Sequence, residues 1–154
     1  MLQQTRVETV LSYFERFLEH LPNLETLASA SQEEVLRLWE GLGYYSRARN
    51  LHRAAQLIIS DFNGQIPATA DALERLPGIG RYTAAAIASI AFGEAVAAVD
   101  GNIKRIFSRV LALQEAPGSA RFEKPVEDYA HIVLPAGRPG AFNQALMDLG
   151  SSLC

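Results

Sequence analysis

The sequence predicts an all-α protein, and three observations support that prediction. Apolar residues recur at spacings of three and four along most of the chain, as in amphipathic helices. No stretch shows the sustained alternation of apolar and polar residues that is typical of a strand. Short segments rich in Gly or Pro, such as GLGY at 41–44 and PGIG at 77–80, separate the periodic stretches. We therefore expect many short helices, in one domain or in two small subdomains that share a core.

The first half of the chain contains three clear helical patterns. The opening pattern reaches from Val7 to Leu21, and no capping residue precedes it, so we expect Met1 and Leu2 to enter the helix directly. Ser31 with a glutamate three residues later is the pattern of a capping box, which predicts the start of a second helix. A long amphipathic pattern then begins at residue 46, and Gly64 marks its end.

The second half continues in the same way. A short helix is expected within 66–76, an Ala-rich helix from about Arg81 to Phe92, and a helix capped by Asp100 or Asn102. The segment 116–125, APGSARFEKP, is predicted as a loop. Two further helices are expected near 123–134 and 140–152.

Composition excludes several classes of protein. One cysteine among 154 residues excludes a disulfide framework, and the three histidines are scattered, so no metal-ligand cluster is predicted. No basic segment followed by an apolar run appears, so the sequence gives no indication of secretion. The Ala-rich apolar stretch is interrupted by Gly93 and Glu94, which argues against a membrane span. The net charge is −3, so any site for a polyanion must be a local basic patch.

The most informative local pattern is LPGIGRYTA, residues 76–84. Gly78 and Gly80 permit a tight turn and allow backbone N–H groups to approach an anion, and the helix that follows adds its positive N-terminus. A helical connection that binds nothing gives the same GxG pattern. We favour a phosphate site because Leu-Pro precedes the turn and Arg81 follows it.

Two other segments contain candidate functional residues. In GLGYYSRARNLHRA, Tyr44 and Tyr45 stand beside Arg49 and Arg53, which lie four apart on one helical face. Such residues either stack on bases and hold phosphates, or form a core and a solvated face. In VDGNIKR, Asp100 precedes a basic helix and is either an N-cap or a carboxylate that stabilises a developing cation.

Taken together, the motifs resemble those of the helix-hairpin-helix DNA glycosylases, and within them the MutY-type adenine DNA glycosylases. The resemblance rests on MLQQT, GLGYYSRARNLH, LPGIGRYTAAAI, VDGNIKR and FNQALMDLG, which follow one another in order along the whole chain. It implies a six-helix-barrel module over 1–98, with the helix-hairpin-helix motif at about 70–92. Residues 99–154 would be part of a second helical module.

The resemblance also implies an activity and a set of site residues. The activity would be base-excision repair, by hydrolysis of the N-glycosidic bond of adenine mispaired with 8-oxoguanine or guanine in double-stranded DNA. Asp100 would stabilise the sugar cation, with Tyr82 and Asn102 in the same pocket. Gly78 and Gly80 would hold a phosphate, often with a monovalent cation. The remaining DNA-binding positions would be Gln4, Thr5, Leu42, Tyr44, Arg49, Arg81 and Lys104.

Both ends of the chain differ from what the resemblance requires. The family's general acid, a glutamate, would precede Met1, so we expect this chain to be a fragment that lacks it. Cys154 matches the first of four cysteines, in the pattern C-x6-C-x2-C-x5-C, that hold a [4Fe–4S] cluster in the family. One thiolate cannot hold a cluster that takes four ligands, so we expect the chain not to hold it.

These observations leave two classes of function. The first is an adenine glycosylase of bacterial, cytoplasmic and nucleoid-associated type that acts as a monomer and is impaired by truncation. The alternative is a helix-hairpin-helix module that binds DNA without chemistry. Lyase activity of the endonuclease III kind is disfavoured, since Tyr82 stands where that branch carries a lysine nucleophile.

Overall fold

The computed structural model describes residues 1–2 and 5–153, and the predicted all-α class is confirmed for them: they contain helices and no strand. None of the described helices is long and apolar enough to cross a membrane. The helices of the described ranges are α1 Val7–His20, α2 Leu24–Ser29, α3 Gln32–Leu38, α4 Ser46–Asp61, α5 Ala70–Leu73, α6 Arg81–Ala91, α7 Gly101–Val110, α8 Ala120–Val133 and α9 Pro139–Ser152.

The chain divides into two compact units. The N-terminal unit comprises Met1–Pro67 together with Leu76–Gly78, and the C-terminal unit comprises Ala68–Arg75 together with the residues from Ile79 onward. The predicted modules, 1–98 and 99–154, follow the family's organisation, and that boundary stays a prediction.

The core of the N-terminal unit is built around Trp39, which is 1% exposed. The Phe17 ring meets the indole edge to face, with ring centroids 6.2 Å apart, so α1 is fixed against the end of α3. Ser31 caps α3 by accepting the Glu34 N–H at 3.1 Å, as its sequence position predicts. The other buried residues of this core are Val10, Leu21, Leu27, Val35, Leu38, Leu42, Ala48 and Ala55.

The C-terminal unit has its own core, formed where α7 packs on α8. Ile103, Ile106 and Phe107 of α7 meet Phe122 and Val126 of α8, and all five side chains are buried. These apolar residues recur at helical spacing in both elements, which explains why each helix buries one face and exposes the other.

A buried asparagine organises the segment between α6 and α7. Asn143 of α9 is 1% exposed, and its Oδ1 accepts the Ala98 N–H at 3.2 Å. Its Nδ2 donates to Ser89 Oγ at 2.9 Å and to the Val96 carbonyl at 3.0 Å. The amide therefore satisfies backbone groups of a segment without regular structure, which leads directly into Asp100.

The start of α1 differs from the sequence prediction. Met1 and Leu2 do not enter the helix, because α1 begins at Val7 after an extended Arg6 (φ −69°, ψ 150°). The physical reason is a tertiary one. Arg47 of α4 donates to the Met1 carbonyl at 2.7 Å and to Thr5 Oγ1 at 3.1 Å, so this segment finds hydrogen bonds outside a helix.

The predicted loop at 116–125 is wrong in its second half. The helix α8 starts at Ala120, where Ser119 accepts the Phe122 N–H at 3.3 Å, and Pro125 lies inside the helix. A proline there removes one helical hydrogen bond. Burial of Phe122 and Val126 on either side favours the helix over the loop that proline normally indicates.

The close approach of α9 to α6 yields a test of the fold. A Cβ added at Gly140 would lie 2.5 Å from the Ser89 carbonyl oxygen and 2.7 Å from Ile90 Cα, both backbone atoms. We expect Gly140→Ala to lower the free energy of unfolding by about 1–3 kcal/mol, since α9 must shift. Urea denaturation followed by circular dichroism measures it.

Gly137→Ala is the matched control, because a Cβ there has no described atom within 4 Å and the position does not need a left-handed backbone. We expect it to change the free energy of unfolding by no more than about 0.5 kcal/mol. Equal stability of the two variants would contradict the packing described for α6 and α9.

Candidate functional site

The turn between α5 and α6 presents an uncapped helix N-terminus. Gly80 is the N-cap of α6, in extended backbone (φ −89°, ψ 173°), and no side chain caps the helix. A Cβ added at Gly80 would meet no described atom within 4 Å, so folding does not require glycine at this position. The first N–H groups of α6 and its partial positive charge are thus open to an anion.

Gly78, in the same turn, has a different role. Its φ is +77°, which disfavours other residues, and a Cβ would lie 2.8 Å from Asn50 Cβ of α4. Gly78 is therefore required by backbone conformation and packing, whereas Gly80 is not. The sequence alone could not separate these two roles.

Asp100 is confirmed as the N-cap of α7, and its second oxygen is also engaged. Its Oδ1 accepts the Ile103 N–H at 2.8 Å, while Oδ2 accepts Nδ2 of Asn102 at 3.0 Å. The carboxylate is half-buried. Two N–H donors hold the side chain in one orientation, as a group that stabilises charge requires.

The amide of Asn102 is oriented by an arginine. Arg105 Nη2 donates to Asn102 Oδ1 at 2.8 Å and to the Gly150 carbonyl of α9 at 2.6 Å. Since a guanidinium only donates, Asn102 must turn its oxygen to Arg105 and its NH₂ group to Asp100. A Cβ at Gly150 would lie 2.5 Å from Asn102 Cβ, so the close approach of α9 to α7 depends on glycine.

Tyr82 lies in the first turn of α6 and belongs to the same unit. Its hydroxyl contacts Met147 Sδ at 3.4 Å, and the residue is 41% exposed. Partial burial and the negative charge of Asp100 raise the pKa of the Tyr82 phenol above its ordinary value of 10.0. The phenol is therefore protonated at neutral pH and acts as a hydrogen-bond donor.

A pocket of about 210 Å³ opens beside Tyr82 in the C-terminal unit. Its polar lining consists of Arg81, Tyr82, Lys104, Glu127 and His131. Both of its strong bases are engaged in ion pairs with α8. Arg81 Nη1 lies 2.9 Å from Glu127 Oε1, and Lys104 Nζ lies 2.6 Å from Oε2 of a second glutamate, Glu123.

A second group of candidate residues meets in the N-terminal unit, around Arg47. Besides the Met1 and Thr5 contacts, its guanidinium donates to the Leu42 carbonyl at 3.4 Å and the Gly43 carbonyl at 3.3 Å. It also lies over the Tyr44 ring, 5.5 Å from the ring centroid. Arg47 thus joins the start of the chain to the GLGYY loop.

The predicted contact residues of this unit differ in accessibility. Tyr44 is 62% exposed with φ +48°, and Arg49 is exposed, so both side chains can meet a ligand. Leu42 is 6% exposed and belongs to the core, while Thr5 is half-buried. Gln4 and Cys154 lie outside the described residues.

Sequence reasoning gave no specific role to Arg47 and Arg105, which organise these groups. Arg105 follows Asn102 by three residues in α7, so helical spacing was the available signal there. Tyr44 precedes α4, so no helical spacing links it to Arg47. Spacing alone did not distinguish them from arginines on a solvated face, because the Met1 carbonyl that binds Arg47 and the Gly150 carbonyl that binds Arg105 are brought near by tertiary structure.

The cluster that the family resemblance implies does not fit the residues present. The sequence contains one cysteine, and a [4Fe–4S] cluster takes four protein ligands. Within 1–2 and 5–153, no group of three or more His, Cys, Asp or Glu side chains is placed to hold a metal ion.

Comparison with curated proteins gives close relatives. The chain is 48% identical to the adenine DNA glycosylase of Homo sapiens, 41% identical to that of Schizosaccharomyces pombe and 38% identical to that of Buchnera aphidicola (strain APS). Each match covers all of this chain. It covers 28%, 34% and 44% of those relatives, respectively, so the chain spans less than half of their length.

Solved structures give the same fold. A thermostable thymine-DNA glycosylase matches with a TM-score of 0.82 and 27% identity, and endonuclease III in a non-covalent DNA complex matches with 0.82 and 25%. Each match covers 99% of this chain and 70% of the other chain. Residues 1–130 match the model of the HhH-GPD superfamily of base excision DNA repair proteins. The chain belongs to this superfamily.

Proposed function

We propose that the chain carries the DNA-binding hairpin and the Asp100 centre of an adenine DNA glycosylase. The substrate would be adenine opposite 8-oxoguanine or guanine in double-stranded DNA, bound by one copy of the chain. The observation that supports this most directly is the Asp100 carboxylate, held by Ile103 and Asn102 beside the protonated Tyr82. The curated relatives that carry this activity match along the whole chain.

The chemistry requires a carboxylate at this position. When the bond between C1′ of the sugar and N9 of adenine breaks, its electron pair leaves with the base, and positive charge develops on the sugar. Asp100 would stabilise that charge, as a carboxylate does in glycoside hydrolysis. Water then bonds to C1′ and loses a proton, while a general acid protonates the departing adenine.

The adenine must leave the base stack before this can happen, because its glycosidic bond is inaccessible inside a duplex. We assign the wedge in the stack to Tyr44 together with Gln4, and the contacts to the opposite base to Thr5 and Leu42. The exposed ring of Tyr44 suits that role. Leu42 is buried, so its contact would require a local movement of the GLGYY loop.

Phosphate binding is assigned to the hairpin. The N–H groups at the start of α6 would hold one phosphate over Gly80, and carbonyl groups of the turn would hold a monovalent cation against it. Arg49, Arg81 and Lys104 would supply further contacts to the DNA backbone.

The general acid is the part of the machinery that we do not place within the 154 residues. The resemblance implies that the glutamate lies before Met1, so we expect the 154-residue chain by itself to bind a duplex containing adenine opposite 8-oxoguanine without releasing adenine. A chimera that adds the residues preceding the matched region in the Buchnera relative should release it, since a general acid contributes about 10²–10⁴-fold. Single-turnover assays with parallel gel shifts measure both properties.

Adenine release by the 154-residue chain without the added residues would show that another group supplies the proton. Binding without release in both forms would favour the alternative function, a helix-hairpin-helix module without chemistry. Release by the chimera alone supports a glycosylase scaffold separated from its acid.

Asp100→Asn in the chimera separates catalysis from capping. The new amide keeps an oxygen for the Ile103 N–H, but its NH₂ group faces that of Asn102, so we expect a loss of stability of about 1 kcal/mol. Loss of the negative charge should slow adenine release by about a hundredfold or more. Single-turnover rates and urea denaturation measure the two effects.

The control is Ser119→Ala, which removes the cap of α8 in the same unit and costs about 1 kcal/mol without touching the proposed site. It should leave adenine release unchanged. If Asp100→Asn slowed release no more than this variant does, Asp100 would be only a cap.

Gly80→Ser tests the phosphate site. A serine at this N-cap can accept the Thr83 N–H, which competes with a phosphate for the first turn of α6. We expect helix stability to be kept or raised by a few tenths of a kcal/mol, while DNA affinity falls about tenfold. Thermal unfolding and fluorescence anisotropy with a labelled duplex measure the pair.

Gly137→Ser is the matched substitution, since a Cβ at Gly137 also meets no described atom. It should leave affinity unchanged. Unchanged affinity in Gly80→Ser would remove the hairpin N-terminus from the binding site.

A further inference from the structure

The acidic face of α8 is not explained by the proposed chemistry. One side of the helix carries Glu123, Glu127 and His131, spaced four residues apart. The two glutamates form ion pairs with Lys104 of α7 and Arg81 of α6, respectively. Each glutamate holds one of the cations that border the 210 Å³ pocket. The pocket therefore contains two cationic side chains whose positive charge is already neutralised by glutamates.

The two ion pairs differ in environment. The side chains of Lys104 and Glu123 are 35% and 25% exposed, and Glu123 also accepts the Gly118 N–H at 3.1 Å. Arg81 is 70% exposed and Glu127 31%. Hydrogen bonding and charge from Lys104 hold the pKa of Glu123 below its ordinary value of 4.5, despite an opposing effect of desolvation.

The positions of Arg81 and Lys104 indicate which ligand displaces the glutamates from them. Arg81 is the first residue of α6, directly after the Gly80 N-cap, and the Lys104 N–H closes the first turn of α7 on the Asp100 carbonyl. A DNA strand held by the hairpin with its sugar at Asp100 therefore brings its phosphates towards the same two side chains. A phosphate oxygen and a glutamate oxygen compete for the same donors.

We propose that the pocket bordered by Arg81 and Lys104 is a phosphate-exchange site. In the free chain Glu127 and Glu123 form ion pairs with these two cationic side chains, and a DNA backbone phosphate replaces the glutamates when DNA binds. The inference rests on the proposed function. The glutamates weaken binding to DNA of any sequence, because each contact with phosphate first costs an ion pair and leaves a carboxylate near the duplex.

The test uses the 154-residue chain and an undamaged duplex. Glu123→Gln/Glu127→Gln should tighten binding by about two- to fivefold for each glutamine, the range set by exposed ion pairs. The slope of log affinity against log salt concentration should also steepen, by up to about one for each cationic side chain that is freed from its glutamate. Fluorescence anisotropy over a salt series measures both.

Asp128→Asn is the matched control. Asp128 lies on the same helix, and its substitution makes the same change in net charge as either single glutamine substitution, but its partner is Lys124, at 3.4 Å. It should leave the salt slope unchanged. If it tightened binding and steepened the slope as much as Glu123→Gln or Glu127→Gln alone, net charge would explain the effect and the exchange site would be overturned.

A double-mutant cycle gives the specific coupling. In a Lys104→Met background, Glu123→Gln should have no further effect on affinity. An undiminished effect would show that Glu123 acts on DNA without Lys104, which overturns its assigned role.

A measurement without DNA separates this inference from the proposed function. In NMR titrations of the carboxyl carbons, the pKa of Glu123 should rise towards its ordinary value in Lys104→Met; no rise would overturn the ion pair. In the binding experiments, if the wild-type chain binds DNA and the double glutamine variant binds it no more tightly, only the exchange site is overturned. Absence of binding in both chains overturns the proposed function as well.

Discussion

The geometry of the C-terminal unit depends on how closely α9 approaches α6 and α7. Two glycines of α9 permit it: Gly140 lies against the backbone of α6, and Gly150 lies against Asn102 of α7. Between them, Asn143 hydrogen-bonds the segment that connects those two helices. Because interiors tolerate little movement, this contact fixes where α6 ends and where α7 begins. Asp100 stands at that beginning, so its position follows from the packing of α9, although the two hydrogen bonds described for its carboxylate both come from α7.

The proposed use of a helix cap as the carboxylate that stabilises the sugar cation would have a physical advantage. A capping aspartate has one oxygen bound to the helix, so its rotamer is set before any substrate arrives. The second oxygen is held by Asn102, whose orientation Arg105 determines. In the proposed reaction, a preorganised charge would need no reorganisation as the sugar becomes cationic. The same hydrogen bonds would account for a purely structural aspartate, which is why the charge and the cap have to be separated by substitution and not by geometry.

Local chemistry was predictable from the sequence, and tertiary contacts were not. Ser31 and Asp100 are caps whose partners lie three residues away, so their roles follow from spacing alone. Arg47 and Arg105 bind backbone carbonyls 46 and 45 residues away, respectively, which no local pattern contains. The failed prediction around Pro125 has the same origin, since burial across α8 outweighed a local signal for a loop.

The arrangement of charge explains how a chain with a net charge of −3 can present a surface to a polyanion. The hairpin offers backbone N–H groups, which attract a phosphate without a cationic side chain and do not depend on the net charge of the protein. Lys104 and Arg81, beside the hairpin, are paired with Glu123 and Glu127, so the free chain has little uncompensated positive charge near the hairpin. The proposed binding would then depend more on the fit of the DNA backbone to the hairpin than on long-range attraction. That balance would suit the proposed glycosylase, which must leave undamaged DNA, because electrostatic contacts are the part of the affinity that does not distinguish one site from another.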